Sequence, residues 1–257
     1  MNPYTNLSLL LLTHNSSSNP KKLWTWLDKC LKINEIVAVD DNSTDDTVKI
    51  LKSFESKDRK ILIQSRGLAN NFSDQRSFGL KYATNDWIFW LDSDELPSPE
   101  LIKFLNHFEP QPNFAYSLPR LDHFLGRQLK HGETASLRFT RIFNKSHGKF
   151  LGTVHETWQT SDKIIFINHP IFHYSHPSFY SLMEKINFYS DIRAQELYRQ
   201  KIHTNLFQII FYPLGKFLYS YIVRLGFLDS VPGIVMALSM SFHSFLVRAK
   251  LWHLWQS

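Results

Sequence analysis

Short apolar runs alternate with amphipathic segments over the first ninety residues of the chain. Runs of this length, bounded by turn residues, are typical of strands that are buried on both faces. The segments between them have the spacing of helices, so the pattern predicts an α/β fold with a mostly parallel central sheet. The predicted strands are residues 7–12, 35–39, 60–63 and 87–91, and the predicted helices are residues 21–30, 46–54 and 72–83. Ser43 or Thr44 is expected to cap the second helix.

Polar residues follow three of these strands directly. They are residues 13–15, 40–46 and 92–95. In a parallel sheet, ligands bind beyond the carboxyl ends of the strands, so we expect these clusters to meet in one crevice.

The most informative cluster is Asp92-Ser93-Asp94-Glu95, which follows the apolar run 87–91. Two aspartates at i and i+2 point the same way from an extended chain, and carboxylates suit Mg²⁺ or Mn²⁺. A metal site that holds a diphosphate is therefore one interpretation. An acidic helix cap before Pro97-Ser98-Pro99 is the other.

The second half of the chain is less regular. Strands are predicted at residues 114–118, 137–143 and 163–167, and a helix at residues 178–200. From Leu206 the chain is apolar and aromatic with helical spacing, interrupted by Pro213, and residues 230–247 have no formal charge. A membrane-surface segment, a membrane span and a buried core or oligomer interface all fit this pattern.

Composition narrows the function further. The chain has 257 residues, a net charge of +6 and a single cysteine, Cys30, so a disulfide framework is excluded. The basic residues are scattered, which argues against a nucleic-acid-binding protein. The apolar run 7–12 is shorter than a signal-peptide core and lacks preceding positive charges, which predicts a cytoplasmic protein.

Several motifs together resemble a known family. The general matches are residues 12–15, 35–40, 43–47 and 87–95, and the more specific ones are residues 124–127, 130–132, 154–156, 173–175, 225–229 and 249–252. The chain resembles family 2 glycosyltransferases of the GT-A fold, a Rossmann-like nucleotide-diphospho-sugar transferase fold. Among them it looks most like the bacterial lipopolysaccharide core β-1,4-glucosyltransferase type.

The resemblance implies a division of the chain into three parts. Residues 1–118 would be the nucleotide-sugar-binding half, and residues 119–200 the acceptor-binding half of the same catalytic domain. Residues 201–257 would be a helical, membrane-associating extension.

The resemblance also implies roles for single residues near the donor. Thr13, Asn15, Asp40, Arg76 and Asp92 would contact the nucleotide sugar, with Asp40 accepting a hydrogen bond from uracil. Ser77 replaces the asparagine that the family usually has beside this arginine.

A divalent ion, Mg²⁺ or Mn²⁺, would be held by Asp92, Asp94 and His173. Glu156 would be the base that activates the acceptor hydroxyl in an inverting displacement. Its alternatives are Asp122 and Glu133. Two arginines, Arg138 and Arg141, are candidates for assisting the leaving diphosphate, with a surface salt bridge as the alternative for each.

The basic loop containing Arg127, Lys130 and His131 would suit an anionic acceptor. The implied activity is transfer of a glucose-type sugar from a UDP-sugar to a membrane-associated glycolipid such as the lipopolysaccharide core. The implied location is the inner face of the cytoplasmic membrane, and homo-oligomerisation stays open. Other acceptors, namely a protein, a capsule precursor or a polyprenyl lipid, are alternatives, and so is a non-catalytic sugar-nucleotide-binding or scaffold protein.

Overall fold

The computed structural model describes residues 6–17, 25–69, 71–135, 137–152, 156–176 and 178–256, without the side chains of Ser175 and His176. The chain forms two compact units. The first comprises Met1–Arg120 and Arg138–His173, and the second comprises Leu121–Leu137 and Tyr174–Ser257. The three-part division expected from the sequence stays a prediction.

Twelve strands lie in the described part of the chain. They are β1 (Leu7–Thr13), β2 (Ile33–Asp40), β3 (Lys60–Ser65), β4 (Trp87–Asp92), β5 (Glu95–Pro97), β6 (Phe114–Phe124), β7 (Arg127–Gln128), β8 (Leu137–Asn144), β9 (Gly148–Leu151), β10 (Thr157–Thr160), β11 (Lys163–Phe166) and β12 (Ile171–His176). The main sheet has the order β3-β2-β1-β4-β8-β6-β12-β5, with β7 and β11 also paired to β6, and β9 and β10 form a separate hairpin.

The helices of the described chain are α1 (Thr47–Lys52), α2 (Phe72–Leu80), α3 (Pro99–Asn106), α4 (Phe179–Arg199), α5 (Leu206–Leu218) and α6 (Ser230–Gln256). Short 3₁₀ segments cover Thr25–Lys29 and Gly226–Asp229, and a π-helical segment, Tyr219–Val223, continues α5.

The four N-terminal strands pair in parallel with one another, as the sequence predicts. Strand β1 pairs in parallel with β2 and β4, and β2 pairs in parallel with β3. Side chains of β1 alternate between two cores, with Leu9 and Leu11 in one and Leu10 and Leu12 in the other. Both faces of this strand are therefore buried, which explains its continuous apolar sequence.

Some element boundaries differ from the prediction. Helices α1 and α2 are shorter than expected. Neither Ser43 nor Thr44 caps α1, because Asp46 occupies the cap position and the two hydroxyls donate to Asp40 and Asn15 instead. The expected strand 114–118 continues to Phe124. Of the predicted helix 21–30, residues 18–24 lie outside the described chain, and Thr25–Lys29 form a 3₁₀ turn.

The acidic cap proposed as an alternative for residues 92–95 is wrong. The cap of α3 is Ser98, whose Oγ accepts a hydrogen bond from the Leu101 amide at 3.1 Å. Glu95 is instead the first residue of β5. The carboxylates of residues 92–95 therefore do not cap α3.

The second unit is built around α4, α5 and α6. Leu182 and Ile186 of α4 pack with Phe124 and Leu129, and Met236 of α6 joins them. Pro213 lies inside α5 without ending it, contrary to the predicted interruption.

Two helical glycines provide a matched test of packing. A Cβ at Gly79 of α2 would lie 2.5 Å from Leu10 Cδ1 and 2.7 Å from Val39 Cγ2, whereas a Cβ at Gly215 of α5 would meet nothing within 4 Å. We expect Gly79→Ala to lower the free energy of unfolding by about 1–3 kcal/mol through overpacking. Gly215→Ala should raise it by up to about 1 kcal/mol, because alanine favours a helix. Urea unfolding of both variants measures this, and equal effects would contradict the close packing of α2 on the sheet.

Candidate active site at the carboxyl end of the sheet

The loops that follow β1 and β2 are held together by hydrogen bonds. The Asn15 amide donates to Ser43 Oγ at 2.9 Å, and the Thr44 amide donates to Asn15 Oδ1 at 2.8 Å. Asn15 has a φ of 42°, in the left-handed region that asparagine tolerates. These bonds join the second predicted polar cluster to the first. A hydrogen bond of 2.7 Å between Ser16 Oγ and Ser93 Oγ joins the third cluster to the residue that follows the first.

Asp40 ends β2 and is buried. Its carboxylate accepts hydrogen bonds from the amide and the hydroxyl of Ser43, at 2.9 Å and 2.5 Å. A pocket of about 490 Å³ lies beside it, lined by Asp40, Asn42, Ser43, Val48, Lys52, Ile63 and Ser65. Nearby, Thr13 is buried, and its Oγ1 has no hydrogen-bond partner among the described residues.

Arg76 is the centre of the site. Its side chain is 1% exposed. Its Nη2 lies 2.6 Å from Asp92 Oδ1 and 2.6 Å from Glu156 Oε1, and its Nε donates to the same Glu156 oxygen at 2.7 Å. The guanidinium carbon also lies 4.0 Å from the ring centroid of Trp90. One buried cation therefore joins the aspartate at the end of β4 to the predicted base.

Helix packing explains how Arg76 reaches this position. Helix α2 starts at its cap Asn71 and buries Ser73, Arg76 and Gly79, which share one face at a spacing of three residues. The missing side chain at Gly79 lets this face approach the sheet closely. The arginine is thereby directed to the end of β4.

The hairpin of β9 and β10 supplies Glu156, the residue directly before β10. Ser73 Oγ donates to the carbonyl of Gly152, which ties the hairpin to α2. Phe150 is a buried residue of β9. Residues 153–155, which include His155 of the predicted motif, lie outside the described chain.

The charges around Asp92 shift its pKa. Burial alone would raise the pKa of Asp92, but the guanidinium groups of Arg76 and Arg141 outweigh it, and the pKa falls well below the ordinary value. Burial likewise acts to lower the pKa of Arg76, yet Asp92 and Glu156 raise it. Both groups of this pair are charged at neutral pH.

A second buried ion pair supports the first. Arg141 Nη2 lies 2.5 Å from Glu95 Oε1, and Glu95 Oε2 accepts a hydrogen bond of 3.0 Å from the Asp92 amide. Arg141 also lies 3.7 Å from the Trp90 ring centroid. Burial raises the pKa of Glu95, and Asp92 adds to this while Arg141 opposes it. The pair fixes the backbone at the end of β4.

The sequence did not indicate that Arg141 pairs with Glu95 and fixes the end of β4. A surface salt bridge for Arg141 is wrong, because the residue is buried. The available signal was the alternation of β8, in which Arg141 shares a face with Leu137 and Phe139 at a spacing of two. Arg138, by contrast, is exposed and donates to the carbonyl of Ile167 at 3.1 Å.

Asp94 and His173 lie close together in the same unit. Asp94 Oδ1 is 3.5 Å from His173 Nε2, and His173 pairs with Glu95 between β12 and β5. Within the ranges that the structure describes, no three His, Cys, Asp or Glu side chains form a ready metal cluster. One carboxylate and one imidazole are too few ligands to enclose a divalent ion, so an ion at this position would need substrate phosphate and water as its other ligands.

The remaining predicted site residues belong to the second unit. Arg127 and Lys130 are exposed, whereas His131 Nδ1 lies 2.9 Å from Asp229 Oδ1. Asp229 also accepts hydrogen bonds from the Lys130 and His131 amides. Glu133, an alternative base, forms an ion pair with Lys216. Asp122, the other alternative, is buried.

Comparison with known proteins identifies the family. The profile described as glycosyl transferase family 2 matches residues 8–165, more than half of the chain. The chain belongs to this family and is a glycosyltransferase. The uncharacterized glycosyltransferase RP128 of Rickettsia prowazekii (strain Madrid E) is 30% identical over 232 residues, which cover 85% of this chain and 77% of the relative. The glycosyltransferase SunS of Bacillus phage SPbeta is 32% identical over 139 residues, covering 51% of this chain and 31% of that protein.

A solved structure shares the fold. The mannosyltransferase PcManGT from Pyrobaculum calidifontis, described in complex with GDP-Man and Mn²⁺, has a TM-score of 0.56 and 12% identity. The alignment covers 100% of this chain and 89% of that one. The predicted GT-A-like α/β fold is thereby confirmed, with its mostly parallel, curled sheet and C-terminal helices.

Removing the Arg76 guanidinium, which Asp92 and Glu156 share, should destabilise the first unit. Arg76→Met leaves Glu156, which is 7% exposed, without its partner, and breaking a buried ion pair from one side costs about 3–5 kcal/mol. We expect a loss of that order in the free energy of unfolding, measured by urea denaturation. The double variant Arg76→Met/Glu156→Gln should recover part of the loss, and a double variant no more stable than Arg76→Met would contradict the pairing.

The lowered pKa of Asp92 predicts a pH dependence of stability. The unfolded chain binds a proton at Asp92 near the ordinary value of 3.8, while the folded chain does so only at lower pH. The free energy of unfolding should therefore fall as the pH drops below 3.8. Asp92→Asn should make this fall shallower in thermal unfolding between pH 5 and pH 3. An unchanged slope would show that Asp92 is not held ionised by the arginines.

Proposed function

We propose that the chain is an inverting, metal-dependent hexosyltransferase. It moves a glucose-type sugar from a UDP-sugar to a membrane-associated glycolipid, of which the lipopolysaccharide inner core is an example. The observation that carries the proposal is the arrangement of Asp92, Arg76 and Glu156. It joins the carboxylate at the end of β4 to the carboxylate that we propose as the base.

Glu156 is the proposed base. Both contacts with Arg76 go to Oε1, so Oε2 is the oxygen that accepts the proton of the acceptor hydroxyl. The acceptor oxygen then forms a bond to the anomeric carbon of the donor sugar, while the bond from that carbon to the diphosphate oxygen breaks. The diphosphate leaves with the electron pair, and the configuration at the anomeric carbon is inverted in this single displacement.

Arg76 supports the diphosphate in this proposal. Its Nη1 is buried without a hydrogen-bond partner among the described residues, which is costly for a donor. A phosphate oxygen of the bound donor would satisfy it. Thr13, Asn15 and Asp40 hold the nucleotide next to the pocket at the ends of β1 and β2.

A divalent ion, Mg²⁺ or Mn²⁺, would be held by Asp92, Asp94 and His173. When bound, it supplies Lewis-acid stabilisation of the negative charge on the leaving diphosphate. Asp92 orients the donor from a fixed position, because its carboxylate accepts a hydrogen bond from Arg76 and its backbone amide donates to the Glu95 carboxylate.

The acceptor is proposed to meet the basic loop of Arg127, Lys130 and His131, at the inner face of the cytoplasmic membrane. A protein, a capsule precursor or a polyprenyl lipid are the alternative acceptors. They are distinguished by which extract becomes labelled when the protein is given a radioactive UDP-sugar. A non-catalytic scaffold would bind the donor and label no extract.

Two substitutions separate the proposed roles. Asp94→Asn should abolish metal-dependent hydrolysis of the UDP-sugar and weaken donor binding in the presence of Mn²⁺. Glu156→Gln should keep donor binding and lower transfer by about 10²–10⁴-fold, because it removes the base. Calorimetry and a UDP-release assay measure both quantities.

Glu100→Gln, at an exposed carboxylate of α3, is the matched control and should leave both quantities unchanged. Full transfer by Glu156→Gln would place the base elsewhere. Full metal-dependent turnover by Asp94→Asn would overturn the metal assignment.

A further inference from the structure

Helix α5 presents an apolar surface that the rest of the second unit does not cover. None of its thirteen residues, all of which the structure describes, is buried. Phe207, Phe211, Leu214, Leu218 and Ile222 recur every three or four residues along α5 and its π-helical continuation. They form one stripe, which we name the apolar stripe, with exposures between 43% and 63%. A continuous apolar surface of this kind marks a binding face for protein or membrane.

Length and composition alone leave the nature of this face open. Leu206–Val223 and Gly226–Gln256 are both long and apolar enough to cross a membrane. Only 6% of the first segment and 33% of the second are buried inside the protein. A membrane span and an in-plane surface helix both meet these criteria. The elements that contact α5 and α6 distinguish between the two.

The neighbours of α6 argue against a span. Helix α4 packs along α6, with Ala194 and Leu197 against Val247 and Leu251. Next to this contact Lys250 Nζ lies 2.7 Å from Asp191 Oδ1. If α6 crossed a bilayer, α4 and its charged side chains would enter the hydrocarbon with it, which is costly.

The neighbours of α5 argue in the same direction. Lys216, in the middle of the candidate span, forms an ion pair with Glu133 of the loop before β8. The Gly132 amide donates to the carbonyl of Arg224 at 2.8 Å, which ties the same loop to the end of the segment. A spanning α5 would have to take this polar loop into the membrane or lose both contacts.

The charges of this region suit an anionic surface. Residues 200–257 contain five lysine or arginine residues and one aspartate, and two of the five, Lys216 and Lys250, form the ion pairs described above. Arg248 lies 4.6 Å from the ring centroid of Tyr212 on α5, and Lys201 is exposed in the connection between α4 and α5. Basic residues beside an in-plane apolar face strengthen binding to anionic lipid.

We propose that the apolar stripe lies in the interfacial plane of an anionic phospholipid bilayer, so that the chain binds one leaflet and does not span it. This deepens the membrane location in the proposed function. It depends on the second unit alone, and neither donor nor acceptor is needed to test it.

Flotation with sealed vesicles tests the stripe. The wild type should float with phosphatidylcholine vesicles that contain phosphatidylglycerol, and less with phosphatidylcholine alone. Phe211→Glu/Leu214→Glu should weaken binding to the anionic vesicles by about a hundredfold, the loss expected for two buried apolar side chains. Leu31→Glu, at a leucine of the first unit that is 80% exposed, is the control and should bind as the wild type does.

We expect each variant to fold, because the substituted side chains are exposed. Circular dichroism and UDP release check this. A wild type that fails to float overturns the proposal, and so does a double variant that floats normally. A wild type that floats but releases no UDP would contradict the proposed catalysis without contradicting the proposed membrane binding.

Cysteine labelling in inverted inner-membrane vesicles tests the topology. Lys201→Cys and Arg224→Cys stand at the two ends of the candidate span, and the native Cys30 is fully buried. An impermeant maleimide should label both positions without detergent, because an in-plane helix has both ends on the cytoplasmic side. Protection of either position until detergent is added would show a span and overturn the proposal.

Discussion

The buried guanidinium of Arg76 is the interaction on which the candidate site depends. Two carboxylates from distant parts of the chain, Asp92 and Glu156, meet on this one group. Glu156 is 7% exposed, so its charge would be costly without Arg76, whereas the side chain of Asp92 is 31% exposed and depends less on the arginine. The close packing of α2 on β1 and β2 positions Arg76. Glu95, which is paired with Arg141, accepts a hydrogen bond from the Asp92 amide and so fixes the backbone there.

This arrangement gives the site two kinds of carboxylate. Asp92 and Glu156 are fixed by the arginine, while Asp94 and His173 lie together in the same unit without a third ligand of their type in the described chain. In the proposed function, an ion at Asp94 and His173 would take its remaining ligands from the donor diphosphate and from water. Family membership shows that the chain is a glycosyltransferase, and the triad indicates how its proposed chemistry is organised.

The sequence predicted the parallel half of the sheet well, because buried strands such as β1 have a continuous apolar signature. It also predicted the polar strand ends, since they interrupt those runs abruptly. It could not predict that Arg76 pairs with Glu156, eighty residues away, because such pairing depends on tertiary packing. The buried role of Arg141 was only weakly signalled by β8, and the continuity of α5 through Pro213 ran against local propensity.

A crystal structure with UDP and Mn²⁺, using the anomalous signal of manganese, tests the central claim most directly. We expect a manganese peak in coordination contact with the Asp94 carboxylate, with Arg76 still bridging Asp92 and Glu156 and its Nη1 facing a phosphate oxygen. A nucleotide bound away from the ends of β1, β2 and β4, or a Glu156 separated from Arg76 and remote from the diphosphate, would contradict it.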